Sequence, residues 1–271
     1  MTSAALDRLH QWLGRSAWAT RLALLFRNQA RAVVKYRLMT AHDVRASGEA
    51  WLVERLAAEL RTVVDVGANR GDWTRMVLER APHLERAVLF EPAPRAAQLL
   101  RAQLGPQRGV TVVEAALSDR EAEDALFFEE PGAGETSSLT RGAATAAAVE
   151  RRVRVTTLDA ALAALGIGRI DLLKIDAEGN DLAVLRGAAA LLRERRANAV
   201  QWEYGDGWPL AGATLGAALS FLDANGYESF LLKGGGLHRF DYGLFGEFFT
   251  FANFVSVPRG APLPAEVREL L

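Results

Sequence analysis

Thr62-Val63-Val64-Asp65-Val66-Gly67-Ala68-Asn69-Arg70-Gly71 reads as a short β-branched strand that runs into a glycine turn, and Thr74–Arg80 after it reads as a helix. Outward from this unit the texture repeats. Ala87–Glu91 predicts a second strand followed by a helix over about 94–104, and Val110–Ala116 predicts a third strand. Arg169–Asp176 is a further strand with a helix over roughly 180–195 behind it. Ala199–Glu203 comes next, then a helix near 214–225 that stops at Asn225-Gly226. Strands that are nearly all apolar and alternate with helices predict a mostly parallel sheet covered on both faces. Ser229–Leu232 and Phe248–Val257 flank Gly234-Gly235-Gly236 without a long helix between them, which predicts an antiparallel pair at one sheet edge. Residues 124–158 read as an irregular insert with strands at 125–129 and 153–157.

Ligands of an open α/β sheet bind beyond the carboxyl ends of its strands. Gly67 and Gly71 let backbone approach a ligand closely at the first such end. The turn is not the dinucleotide fingerprint, because Asn69 and Asp72 stand where that pattern needs glycine. Asp65 suits a cationic ligand better than a phosphate. The second strand ends in Glu91-Pro92, twenty-six residues after Asp65, and an acid there can accept hydrogen bonds from both ribose hydroxyls. Either feature alone is a plain strand-terminal turn. Together, in this order, they predict an adenosine-type ligand without a phosphate cradle.

Val64–Gly71, Phe90-Glu91-Pro92, Ala115-Ala116-Leu117-Ser118-Asp119 and Asp171–Gly179 closely resemble the FkbM family of S-adenosylmethionine-dependent methyltransferases. The resemblance runs from about Val63 to Pro258. It implies a class I methyltransferase domain, with a Rossmann-like, mostly parallel seven-stranded sheet, helices on both faces and an antiparallel edge. It also implies S-adenosyl-L-methionine as cofactor and O-methylation of a hydroxyl on a sugar, glycan or secondary metabolite. Carried over by resemblance, Asp65, Gly67, Ala68, Asn69 and Gly71 line the methionine and ribose parts. Glu91 with Pro92 holds the ribose hydroxyls, and Ser118 with Asp119 lies by the adenine. This chain departs from the family at Asn180-Asp181, where a small residue and Glu are usual, so Asp181 is left outside the expected site.

Transfer to a weakly nucleophilic hydroxyl calls for a general base. Asp176 and Glu178, at the end of their strand, are candidates, as is Glu203 on the neighbouring strand. His238 follows the triple glycine, which reads as a mobile lid, and has a suitable pKa range. Lys174 shares a strand face with Leu172 and Asp176. A lysine in so apolar a strand needs a partner, in Asp176, Asp65 or Glu178, and is either part of the cleft or a structural ion pair. Asp176, Glu178, Glu203 and Asp206 offer hard oxygens suited to Mg²⁺, but no spacing motif demands a metal and none is expected. The loop Glu135–Thr140 resembles a Ser-Ser-Leu segment of the family, and the Gly/Ala-rich chain around it reads as a surface excursion or a lid over the acceptor. Trp202, Tyr204, Trp208, Tyr227 and Tyr242 are divided between core and an aromatic floor for the acceptor.

The remaining sequence narrows the alternatives. Half of the 271 residues are hydrophobic and none is cysteine, which removes thiol nucleophiles, thiolate metal sites and redox pairs. A net charge of −1 speaks against a nucleic-acid binder held by phosphate contacts. Residues 1–60 read as a helical extension and 61–271 as the catalytic domain. Residues 1–45 carry eight Lys/Arg and two acids, net +6, read as a solvated basic face, with a surface for anionic lipid or an acidic partner as the alternative. No secretory signal is evident, and the longest early apolar run, Leu22–Phe26, falls far short of the roughly 20 residues of a membrane span. A cytoplasmic location is therefore expected, with a small-molecule or glycan acceptor, no nucleic acid, no integral membrane span and a homodimer through the N-terminal helices. The rival readings are an NAD(P)-dependent oxidoreductase on a related sheet and a catalytically silent cofactor-binding or scaffold protein.

Overall fold

The computed structural model describes residues 3–40, 44–129, 138–139 and 148–271. The chain divides into two compact units, Met1–Met39 and Thr40–Leu271. The first holds α1 (Ser3–Gly14) and α2 (Ala17–Leu38), the latter started by Ser16, whose hydroxyl accepts the N–H of Ala19.

The second unit opens with α3 (Val44–Ser47) and α4 (Glu49–Leu56), then β1 (Thr62–Val66), α5 (Asp72–Arg80), β2 (Arg86–Phe90), α6 (Pro94–Gln103) and β3 (Val110–Val113). A small separate sheet follows, built from β4 (Ala116–Leu117), β5 (Ala122–Glu129) and β6 (Val149–Thr156) in the order β4-β6-β5. After α7 (Leu158–Ala164) come β7 (Ile170–Ile175), α8 (Asp181–Gly187), α9 (Ala189–Arg193), β8 (Ala197–Tyr204) and α10 (Leu215–Ala224). The chain closes with β9 (Tyr227–Lys233), β10 (Gly236–Arg239), α11 (Tyr242–Phe245), β11 (Ala252–Pro258) and β12 (Val267–Arg268).

Among the described residues the main sheet has nine strands in the order β12-β10-β9-β11-β8-β7-β1-β2-β3. The central strands β8, β7, β1, β2 and β3 are parallel. The sheet is thus wider than the seven strands expected, with β10 and β12 lying outside β9. The antiparallel pair is present but not at the edge: β11 is inserted between β8 and β9, antiparallel to both. The triple glycine closes a β9–β10 hairpin instead.

The boundary at residue 60 also moves. Leu52 and Val53 of α4 are fully buried in one core with Leu60, Val63, Val77, Leu89 and Leu172, so residues 44–60 fold with the sheet. Burying Leu52 and Val53 is worth roughly 1.5–3 kcal/mol each, which helps to fix a two-turn helix that would not persist alone. The aromatic residues divide as the physics of burial dictates. Trp202, Tyr204, Trp208 and Tyr227 are all core, Trp202 stacking on Phe254 at 4.7 Å and donating its indole N–H to the hydroxyl of Ser256. They form no acceptor floor; Tyr242 alone of the five is exposed.

Candidate active site

Parallel pairing brings the ends of β1, β2 and β7 to one sheet edge, with Val66 level with both Phe90 and Ile175. The turn after β1 is closed from two sides. The N–H groups of Gly67 and Ala68 donate to the carbonyl of Phe90 at 3.0 and 3.1 Å. The Glu91 carboxylate accepts the N–H of Asn69 and the N–H of Ala93, both at 2.8 Å. Asn69 holds a left-handed φ of 47°, an unfavourable conformation for a residue with a side chain that this clamp sustains. Burial pushes the Glu91 carboxyl up to about 7, against the lowering pull of the two N–H groups. Gly67 is obligatory: a Cβ there would lie 1.9 Å from the backbone oxygen of Asp176, where the β1 and β7 turns cross. Gly71 has a different reason to be glycine. It begins α5 at φ 78°, and its face packs on Leu100 and Leu104 of α6, so its requirement is structural.

Beneath the turns lies a buried polar row. Asp65, Lys174 and Gln201 are neighbours in register across β1, β7 and β8, one step above the apolar row Val63, Leu172 and Ala199. The Lys174 ammonium lies 3.4 Å from Asp65 and 3.1 Å from Asp176. Asp65, fully buried, also accepts the hydroxyl of Thr74 at 2.6 Å. From α4, Glu49 accepts the Gln201 amide at 2.5 Å and the Ser47 hydroxyl at 3.1 Å. Burial opposes the charge of Lys174, but Asp176, Asp65 and Glu49 together hold it protonated, above the ordinary lysine range. Burial raises the Glu49 carboxyl. Lys174 is therefore ion-paired within the buried row, and Asp65 has no exposure to solvent.

The turn after β7 carries the exposed end of this network. Glu178 has a left-handed φ of 49°, followed by Gly179 at 92°. Asp181 braces the turn, accepting the N–H groups of Ala177 and Gly179 at 3.1 Å each. Asn180 donates to the carbonyl of Leu117 at 2.7 Å, and Ser138 donates its hydroxyl to the carbonyl of Glu178 at 2.8 Å. Burial, reinforced by Asp176 and then Asp181, raises Glu178 to about 9; burial and Asp176 raise Asp181 to about 7. Glu203, one residue past the Ile175–Trp202 pair, is raised well above its ordinary value by burial and by Asp176, Asp181 and Glu178. The edge thus gathers four carboxyl groups, with Asp176 close enough to raise the pKa of the other three.

Ser118 and Asp119, after β4, line a cavity of about 660 Å³ with Gly179, Asn180, Leu182 and Arg186. The expected residues are brought together around Gly67, Asn69, Glu91, Asp176, Glu178 and Glu203, with Ala68 and Pro92 on the clamped turns. His238 is not among them. It lies within β10, four strands from β7, which at roughly 4.8 Å per strand is about 19 Å away, and its segment is a hairpin strand rather than a lid. Sequence reasoning missed Glu49, Thr74, Gln201 and Asp181. Of these, Asp181 carried a signal, an acid in the first turn of a helix after glycine. Glu49 and Gln201 meet across more than a hundred residues, and Thr74 reaches Asp65 only once β1 and α5 pack together. Of the loop 135–140, all but Ser138 and Leu139 lies outside the described residues. Among the described residues no group of three or more His, Asp or Glu is arranged to hold a metal ion.

The model of the methyltransferase FkbM domain matches residues 65–229. AMB antimetabolite synthetase AmbE of Pseudomonas aeruginosa is 33% identical over 173 residues, which is 49% of this chain and only 8% of that protein's length. Among solved structures, methyltransferase FkbM of Methylobacillus flagellatus aligns at 15% identity over 73% of this chain and 44% of that one, with a TM-score of 0.45. An O-methyltransferase of Bacillus cereus in complex with SAH aligns at 12% identity over 84% of this chain and 87% of that one, with a TM-score of 0.41. The matched span contains the clamped turn, Glu91 that clamps it and the braced turn after β7. The chain belongs to the methyltransferase FkbM domain family, and its fold is the α/β fold of class I methyltransferases.

Proposed function

We propose that this protein is an S-adenosylmethionine-dependent methyltransferase acting on a hydroxyl of a sugar, glycan or secondary metabolite. The observation that carries the reading is the meeting of the Glu91-clamped turn with Asp176, Glu178 and Glu203 at one sheet edge, where Lys174 is already paired. The raised carboxyls of Glu178 and Glu203 hold protons near neutrality, and a ligand that carries a sulfonium and an ammonium group would favour their ionised forms. Each Glu91 oxygen spends one lone pair on a backbone N–H and keeps another for a ribose hydroxyl. Ser118, Asp119 and Asn180 offer polar edges for an adenine. When bound, the cofactor supplies an electrophilic methyl group on a positively charged sulfur.

The chain's own part is to orient and to take a proton. Asp176, Glu178 and Glu203 are the carboxyl groups at the edge, and burial raises those of Glu178 and Glu203, which makes each a stronger base once it is ionised. Whichever of them is ionised accepts the acceptor's hydroxyl proton, while Lys174 and Asp181 fix the turn that presents them. The antimetabolite synthetase relative favours a secondary metabolite over a macromolecular acceptor.

Calorimetry with S-adenosylmethionine and its demethylated product tests the reading: the parent chain binds both, Glu91→Ala binds neither, and NADH does not bind. Absence of binding by the parent would sink the proposal. Binding without turnover on a broad acceptor panel would favour the scaffold reading. The Glu91 carboxyl sits at about 7, so if its ionised form is the one that accepts the ribose hydroxyls, affinity rises about tenfold from pH 6 to pH 8. Glu91→Gln, which cannot ionise, is expected to bind weakly and without that slope.

A further inference from the structure

Helix α2 (Ala17–Leu38) contains Arg21, Arg27, Arg31, Lys35 and Arg37 and no acidic residue. At 3.6 residues per turn, Trp18, Leu22, Leu25, Phe26, Val33 and Tyr36 fall within an arc of about 100°. These are not core residues. Trp18 is 73% exposed, Phe26 68%, Val33 72% and Tyr36 74%. Arg27, Arg31 and Lys35 occupy the opposite side, and Arg21 and Arg37 flank the apolar arc. The preceding helix adds Trp12, 67% exposed. A merely solvated basic helix has no use for four large exposed apolar side chains on one face.

We propose that α2 is an interfacial anchor that lies in the surface of an anionic phospholipid bilayer. Its aromatic arc is of the kind that seats at the boundary of headgroups and acyl chains, where amphipathic aromatic rings are favoured. Its five cations meet the negative surface potential of such a membrane. The charge decides between occupants. A second copy packed on this face would set the flanking Arg21 and Arg37 of each helix against those of the other, with no acid in either helix to offset them. A spanning role is closed as well, since among the described residues no helix is long and apolar enough to cross a membrane. The inference stands on residues 17–38 and is independent of the methyltransferase reading.

Co-sedimentation of the full chain with vesicles of equal phosphatidylglycerol and phosphatidylcholine, at low salt, tests it. The chain is expected to pellet with these vesicles and to remain in the supernatant with pure phosphatidylcholine. Arg27→Glu/Arg31→Glu/Lys35→Glu is expected to lower partitioning at least about 100-fold, as each near-surface cation contributes roughly fivefold. Trp18→Ser/Phe26→Ser is expected to lower it at least about tenfold, with an unchanged circular dichroism spectrum. If either variant misfolds, the other variant and the loss of binding at high salt decide. Failure to pellet with anionic vesicles, equal partitioning to both lipids, or undiminished binding by the triple variant would overturn the proposal. So would concentration-dependent dimerisation that Trp18→Ser/Phe26→Ser abolishes, without vesicle binding.

Discussion

Urea denaturation of a Lys174→Met variant is expected to show a folded state about 3–5 kcal/mol less stable than the parent. Methionine nearly matches the lysine stem in volume, so no cavity contributes. The loss comes from charge. Asp65 has no exposure to solvent and, among the described residues, the Thr74 hydroxyl besides Lys174 to compensate it. Removing the ammonium leaves a buried carboxylate that must either stay unpaired or take up a proton. The pair is stable across the working range: lysine's folded pKa lies above its unfolded value, so its contribution is intact at neutral pH and is lost only as pH rises through the folded value. Asp65→Asn in the same background should restore part of the loss, because it removes the orphaned charge. A single-variant cost below about 1 kcal/mol would show that the buried row does not hold the edge together.

What was legible in the sequence follows from the range over which each interaction acts. The strand ends announced themselves because a parallel strand buried on both faces must be apolar, so Asp65, Glu91 and Asp176 stood out as acids within or just past Val63–Val66, Ala87–Phe90 and Ile170–Ile175. Lys174 was legible as a residue that needs a partner, and two of its candidate partners, Asp65 and Asp176, are the ones it has. Glu49 was not legible. Its helix is short and of mixed composition, and only the packing of Leu52 and Val53 marks it as part of the core. The place of β11 was hidden for a related reason. Periodicity marks a strand but not its neighbours, and the insertion of β11 between β8 and β9 is a choice of topology. His238 shows the opposite error. Three consecutive glycines suggest a lid when read locally, yet Gly236 pairs with Lys233 in a tight hairpin that carries the histidine away from the site.

Gly67→Ala is expected to do more damage than any other single methyl group added to the site. Two costs combine. A φ of 74° imposes roughly 1–2 kcal/mol on a residue with a side chain, and the overlap with Asp176 adds about 1–3 kcal/mol. Gly71→Ala carries the same conformational strain at φ 78°, but its new methyl meets the side-chain ends of Leu104 and Leu100 at 2.6 and 2.8 Å, which can rotate aside. The obstacle at Gly67 is a backbone carbonyl fixed in the β7 turn, and relief requires β1 and β7 to part at the edge where the Asn69–Glu91 clamp faces Asp176 and Glu178. A separation of about 1 Å there is expected to weaken binding of the demethylated cofactor about 100-fold, whereas Gly71→Ala should stay within about tenfold of the parent. Paired urea titrations and calorimetry of the two variants check this ordering. If Gly71→Ala proves as costly as Gly67→Ala in both, the crossing of the two turns is not what requires glycine at position 67.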